Sequence, residues 1–156
     1  MPDAPTSPRS AHPGWRLLAM LYDLFPLLGL WFLVAVAALA FNRGEAIRSG
    51  TWGGILELLA LLAVTGLYAT TSWRRGGQTI GMKPWRLYVT DADGRAPGLA
   101  RLWLRYLVGI VSLLPAGLGF WWAWIDRERL AWHDRASGTR MIRDPGRDGL
   151  AAVRGS

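Results

Sequence analysis

The sequence has no cysteine, only two histidines, and a single lysine among its 18 basic residues. Without cysteine there are no disulfides and no thiolate metal sites. One histidine, His12, lies in a proline-rich tail and the other, His133, stands alone near the C-terminus, so there is no metal-spaced pair. No Ser or Cys nucleophile motif and no nucleic-acid recognition motif is present. What the chain does have is apolar length. Of its 156 residues 51% are hydrophobic, ten are Trp, and the formal charge is +7, which bounds it at one domain. Tyr106 to Ile125 is a run of 20 residues without a charge, and Leu24 to Asn42 is another of 19. Gly53 to Trp73 holds 21 residues with one charge, Glu57. A hydrocarbon core of about 30 Å takes roughly 20 apolar residues. Three such segments leave no room for a soluble enzyme core, so neither enzymatic activity nor a cofactor is expected.

The expected class is an all-α membrane protein with two transmembrane helices, a third apolar segment, and a small, partly extended cytoplasmic cap. Residues 1–14, with four Pro and no periodicity, read as a disordered tail. The spans fall at about 15–41, 53–73 and 99–126, and the cap at 74–98 and 127–143. Residues 144–156 read as a second unstructured tail. Length and the apolar segments that follow argue against a cleaved signal peptide at the first run. Gly76 and Gly77 stop the second helix, Trp85 to Thr90 is strand-prone, and Asp91-Ala92-Asp93-Gly94 signals a turn. Most Trp fall near segment ends, where indole favours the headgroup level.

The third segment contains Leu114-Pro115-Ala116-Gly117-Leu118-Gly119, which admits either a kinked crossing or a re-entrant hairpin. A full crossing divides the 18 basic residues nine against nine, whereas re-entry gives 16 on one side and two (Arg43, Arg48) on the other. The second division is a strong positive-inside pattern. Twenty residues, however, suffice for one crossing and are short for two. Both arrangements put the N-terminus and the middle region, 74–98, on the cytoplasmic side of what is expected to be a bacterial inner membrane.

An ionisable group inside a span is costly, so each one asks for a partner or a task. Arg16 and Asp23, seven residues apart, share a helix face, and Asp23 lies about 12 Å beyond Trp15. Pro26 frees the carbonyl of Tyr22, and a bare carbonyl beside a carboxylate suits a cation or proton. Thr65 falls at the same depth on the antiparallel second helix, and Glu57 lies nearer the outer boundary. Asp23, Thr65 and Glu57 therefore outline a polar path across two helices. The alternative is that Asp23 pairs with Arg16 or Arg105 and locks helices together. Gly29, Gly66, Gly109, Gly117 and Gly119 offer close-packing positions.

Arg16, Asp23, the segment GQTIGMK (Gly77 to Lys83) and HDRASGTRMI (His133 to Ile142) together resemble the RDD family of small bacterial membrane proteins, over about residues 15–143. That family takes its name from an Arg at the start of the first helix, an Asp within it, and a second Asp of more variable position. Arg16 and Asp23 match the first two. The second is Asp126 or Asp134, with the His133-Asp134-Arg135 setting favouring Asp134. Gly77, Gln78, Thr79, Gly81, Lys83, Arg101, Arg105 and Thr139 fit the same pattern, whereas Met82-Lys83-Pro84-Trp85 stands where a more aliphatic continuation belongs. The resemblance implies an integral membrane protein with a role in transport of unidentified ligands, or in some relatives as a partner of other membrane proteins.

Gly76-x4-Gly81-Met82-Lys83 lacks the ending of a phosphate loop, and His133-Asp134 after a helix reads as a cap or interfacial contact. The functional expectation is a small transport or ion- or proton-coupled module with Asp23 at its centre. Three segments cannot enclose a path alone, so that reading requires a homo-oligomer. The rival expectations are a regulatory or assembly subunit of a larger membrane protein, or a module that binds anionic lipid headgroups through its Arg-rich cap.

Overall fold

The computed structural model describes residues 10–48, 50–115 and 117–143. Two long helices, α1 (Pro13–Phe41) and α2 (Trp52–Gly76), fold back on one another. α1 starts where His12 Nδ1 accepts the Gly14 N–H at 3.1 Å and Pro13 needs no partner in the first turn. α2 starts where Thr51 Oγ1 accepts the Gly54 N–H at 3.3 Å. It stops at Gly77, which takes φ 70° and donates to the Trp73 carbonyl. Midway along the pair, Trp31 Nε1 donates to Thr65 Oγ1 at 2.9 Å.

Both helices are long and apolar enough to cross a membrane, and the most apolar stretch of α1 is 0% buried within the chain. Phe25, Phe32 and Leu33 all point outward. Exposed apolar side chains of this kind are what a bilayer covers.

The third apolar segment is broken. α3 (Leu99–Leu113) and α4 (Leu118–Ile125) meet at 99° across Leu114–Gly117, where Gly117 adopts φ 76°. At about 1.5 Å per residue, α4 is only about 12 Å long, too short to complete a crossing. The chain returns instead: α5 (Trp132–Ser137) packs back along α3, so the segment begins and ends at one end of the molecule. The third segment is thus a bent apolar pair, the shape of a broken span or of a re-entrant loop.

That end also carries a two-stranded sheet. β1 (Leu87–Asp91) pairs antiparallel with β2 (Thr139–Arg143), from Leu87 opposite Arg143 to Asp91 opposite Thr139. A single 3-10 turn, Lys83–Trp85, precedes β1. Ala19, Met82, Leu87, Val89, Leu102 and Met141 form the buried core beneath the sheet.

Two expectations need correction. The tail does not extend to residue 14. Ser10 and Ala11 are buried, Ala11 N–H donates to the Met141 carbonyl at 2.6 Å, and α1 already begins at Pro13. The apolar Ala11 side chain joins the core, which outweighs the loop composition around it. Residues 1–9 and 144–156, expected as tails, lie outside the described residues. The Trp residues also divide into two groups. Trp52, Trp121, Trp122 and Trp124 are exposed, as a headgroup belt requires, but Trp15, Trp73 and Trp85 pack against the core. Trp15 stacks on Trp85 at 5.2 Å, with the Arg143 guanidinium 4.1 Å above its ring.

Candidate functional site

Two polar clusters occupy the end where the chain returns, and each is centred on one aspartate. Asp134 forms the first. Its Oδ2 meets Arg16 Nη1 at 2.5 Å, and its Oδ1 meets Arg105 Nη1. Arg16, Arg105 and Asp134 are at most 5% exposed. The position of Asp134 follows from its helix: as the third residue of α5, it reaches back to accept the Ala131 N–H at 2.9 Å. Arg16 is held on its remaining sides by the Ala11 carbonyl at 3.2 Å, the Arg129 carbonyl at 3.1 Å and Ser10 Oγ. Arg105 donates to Thr139 Oγ1 at 2.8 Å and lies 5.5 Å from the Trp73 ring centre. One carboxylate therefore joins the start of α1, the middle of α3, α5 and β2.

Charge follows from this packing. Burial alone would raise the Asp134 carboxyl, but Arg105 and Arg16 outweigh it and hold the group well below the usual carboxylate range. Beside it, His133 lies against Phe120 with 4.7 Å between ring centres. Burial, reinforced by the Arg105 charge, pushes His133 from 6.5 down to about 3, so its imidazole is neutral at pH 7. Two guanidiniums thus share one carboxylate.

A pH dependence follows. An unfolded His133 takes up its proton near pH 6.5 and the folded one only near pH 3, so folding loses stability as pH falls through that interval. Asp134 contributes its own loss only below its ordinary value of 3.8. The interval from 6.5 to 4 therefore belongs to His133, at up to about 1.4 kcal/mol per pH unit. Thermal unfolding of the detergent-solubilised protein should show a midpoint falling across this range, and His133→Gln should flatten it. An unchanged slope in that variant would assign the titration elsewhere.

Asp23 forms the second cluster. Its Oδ1 accepts the Tyr68 hydroxyl at 2.7 Å and the Gly81 N–H at 2.9 Å, and its Oδ2 accepts Thr79 Oγ1 at 2.5 Å. Tyr68 Oη in turn accepts the Ile80 N–H at 3.1 Å. The Gly77–Gly81 turn is thereby pinned to both spans. Gly77 passes the restraint to the sheet, its carbonyl accepting the Val89 N–H at 2.7 Å, while Gln78 Nε2 donates to the Leu87 carbonyl.

The other expected residues fall as follows. Asp23 pairs with neither Arg16 nor Arg105, and the anticipated Asp23–Thr65–Glu57 path does not form among the described residues. Thr65 is bonded to Trp31 and to the Leu61 carbonyl. Glu57 lines a shallow recess with Phe41 and Asn42 at the opposite end of the helix pair. Tyr22 presents its ring edge-on to Trp85 at 5.6 Å. Lys83 and Arg101 are exposed. Asp126 accepts from Leu130 N–H and Arg135 Nη2, and the Leu130 bond leads the effects that lower its carboxyl. Of the glycines, Gly66 sits under Trp103 and Tyr106, and Gly119 against Ser112, whereas Gly29 and Gly109 face open space. Thr139 bonds Arg105 and Ser137. Sequence reasoning missed Ser10, Tyr68 and Trp73. A lone phenol five residues inside an apolar run was the available signal for Tyr68.

The fold and these two aspartate-centred clusters define a multi-pass membrane protein whose signature charges are drawn together at one end. The RDD family model matches residues 10–138, and the chain belongs to this family of membrane proteins. No curated protein and no solved structure matches it.

Proposed function

We propose that this RDD protein is a non-catalytic assembly or regulatory subunit of a larger protein of the bacterial inner membrane. The observation that carries this reading is the saturation of its charges. Asp134 is held by two arginines and a backbone amide, and Asp23 by three donors, so both acids serve as structural ties. Two candidate spans and one bent pair are also few helices with which to enclose a path. Its N-terminus and basic cap face the cytoplasm in this reading, supported by the 16-to-two division of basic residues that re-entry creates.

A second reading, an ion- or proton-coupled homo-oligomer, is favoured by one fact: Asp23 is only half-buried and lines a cleft. Flux separates the two. Proteoliposomes holding the purified chain alone should pass Na⁺, K⁺ or H⁺ no faster than empty vesicles. The same chain should migrate from native membranes in a complex of fixed stoichiometry. Flux from the isolated chain that Asp23→Asn abolishes would overturn the subunit reading in favour of transport.

A further inference from the structure

A cleft of about 210 Å³ runs between α1 and α3, directly over the Asp134 cluster. Arg105, His133 and Trp73 contribute to its inner wall, and Met20, Ile110 and Leu113 to its outer part. Three features of the inner wall are incomplete. Arg105 commits Nη1 to Asp134 and Thr139, and among the described residues Nε and Nη2 have no such bond. His133 Nδ1 and Trp73 Nε1 are buried and without a partner among the described residues. His133 is 5% exposed and lines this cavity. Leaving a buried polar atom unmatched costs about 1–3 kcal/mol. Asp134 sits between Arg16 and Arg105, and Asp23 stands on the same cleft, so its charges balance while the guanidinium of Arg105 still faces the opening. The Asp23 oxygens are already taken by Tyr68, Thr79 and Gly81.

The outer part has the opposite character. Met20 and Leu113, exposed at the rim, belong to faces that the bilayer covers. A second recess of about 280 Å³ adjoins the first and shares Arg16, Met20, Leu113 and Phe120 with it. Its own walls are Leu17, Trp121 and Trp124. A polar base carrying a buried arginine thus continues into an apolar slot open to the lipid side. That combination fits a molecule with an acidic head and a hydrocarbon chain. A buried arginine beside unfilled hydrogen-bond sites suits phosphate or carboxylate oxygens, and the neighbouring aromatic slot suits methylene groups.

We propose that the α1–α3 cleft is a binding site for one anionic membrane lipid, its phosphate against Arg105 and the Trp73 N–H, a headgroup hydroxyl donating to His133 Nδ1, and an acyl chain in the recess under Trp121 and Trp124. The site does not depend on the subunit reading above. It differs from attraction to the Arg-rich cap in being saturable and in lying inside the fold.

The test uses the full chain, delipidated in detergent and titrated with phosphatidylglycerol, phosphatidylcholine of the same acyl chains, or inorganic phosphate, with the thermal midpoint as readout. Phosphatidylglycerol should raise the midpoint saturably, and the other two should not. Gly109, at the cleft wall with nothing within 4 Å of an added Cβ, accepts a larger residue without a clash at that atom. Gly109→Leu should fill the cleft and weaken the phosphatidylglycerol response by roughly tenfold or more in concentration. Leu113→Trp at the rim should act alike if the first variant does not fold. Gly29→Leu, on α1 outside the cleft, should respond as the unaltered chain. An equal response to phosphatidylcholine would overturn the proposal. So would a response that survives both cleft variants, which would assign it to the surface arginines. A full shift with inorganic phosphate alone would make the site one for a free anion and also defeat the lipid assignment.

Discussion

Asp134→Asn should lose about 3–5 kcal/mol of stability, the range seen when one partner of a buried ion pair is removed. The size follows from what remains behind. Arg16 and Arg105, each at most 5% exposed, would face a neutral amide in place of the charge that holds both. The mutual repulsion of the guanidiniums, now offset by the carboxylate, would act unopposed. For a domain whose whole stability is of order 5–15 kcal/mol, this is a large share. The measurement is the thermal midpoint and monodispersity of the detergent-solubilised chain. Asp126→Asn supplies the contrast. Asp126 pairs with Arg135, whose side chain is 54% exposed, so that change should cost about 1 kcal/mol or less. A third variant separates charge from shape: replacing Arg16 and Arg105 by Met together with Asp134→Leu removes the whole ionic unit. Buried ionic groups exchanged as a set for apolar ones are often tolerated. The triple variant should therefore be more stable than Asp134→Asn. A triple variant that is worse would mean that the backbone bonds of Arg16 to Ala11 and Arg129 matter more than the charges.

Much of this architecture was legible from residue order because lipid imposes a simple rule. Apolar runs of adequate length became α1 and α2, and the Pro–Gly interruption became the α3–α4 bend. The strand at Trp85–Thr90 was visible from its β-branched and aromatic content, and it appears as β1 with a partner at β2. The pairing of charges was less legible. Helical periodicity places Arg16 and Asp23 on one face of α1, and so invites a link between them. Periodicity says nothing of what approaches that face from 50 to 120 residues away. Arg16 finds Asp134, 118 residues on, and Asp23 finds Thr79 and Gly81, 56 and 58 residues on. The buried Ser10–Ala11 strap was hidden for a related reason. Its local composition is that of a loop, and its order comes from a backbone bond to Met141 at the far end of the chain.

Gly81→Ala should be the most damaging single-methyl change in the molecule. A Cβ at Gly81 would stand 2.3 Å from the Ala19 carbonyl oxygen, 2.5 Å from the Asp23 nitrogen and 2.7 Å from Asp23 Cγ. The first two are backbone atoms of α1, so no rotamer change relieves the contact. The turn has to lift off the helix. Lifting it breaks the Gly81 N–H and Thr79 hydroxyl bonds to Asp23, leaving a carboxylate near membrane depth with Tyr68 as its remaining donor. At about 1.5 kcal/mol for each hydrogen bond broken at a charged, half-buried acceptor, the loss should reach about 3 kcal/mol. Gly29→Ala is the matched control. It sits in α1 with nothing within 4 Å of the added carbon, and there Ala should be neutral or stabilising by up to about 1 kcal/mol. The two variants differ from the parent by the same methyl group, so any gap between their thermal midpoints measures the contact of this turn with α1. If Asp23→Asn is then added to Gly81→Ala, the second change should cost little, because the bonds it weakens are already gone. Full additivity of the two losses would show that the turn and the carboxylate are held independently, and that Asp23 has some task other than fastening Gly77–Gly81 to the spans.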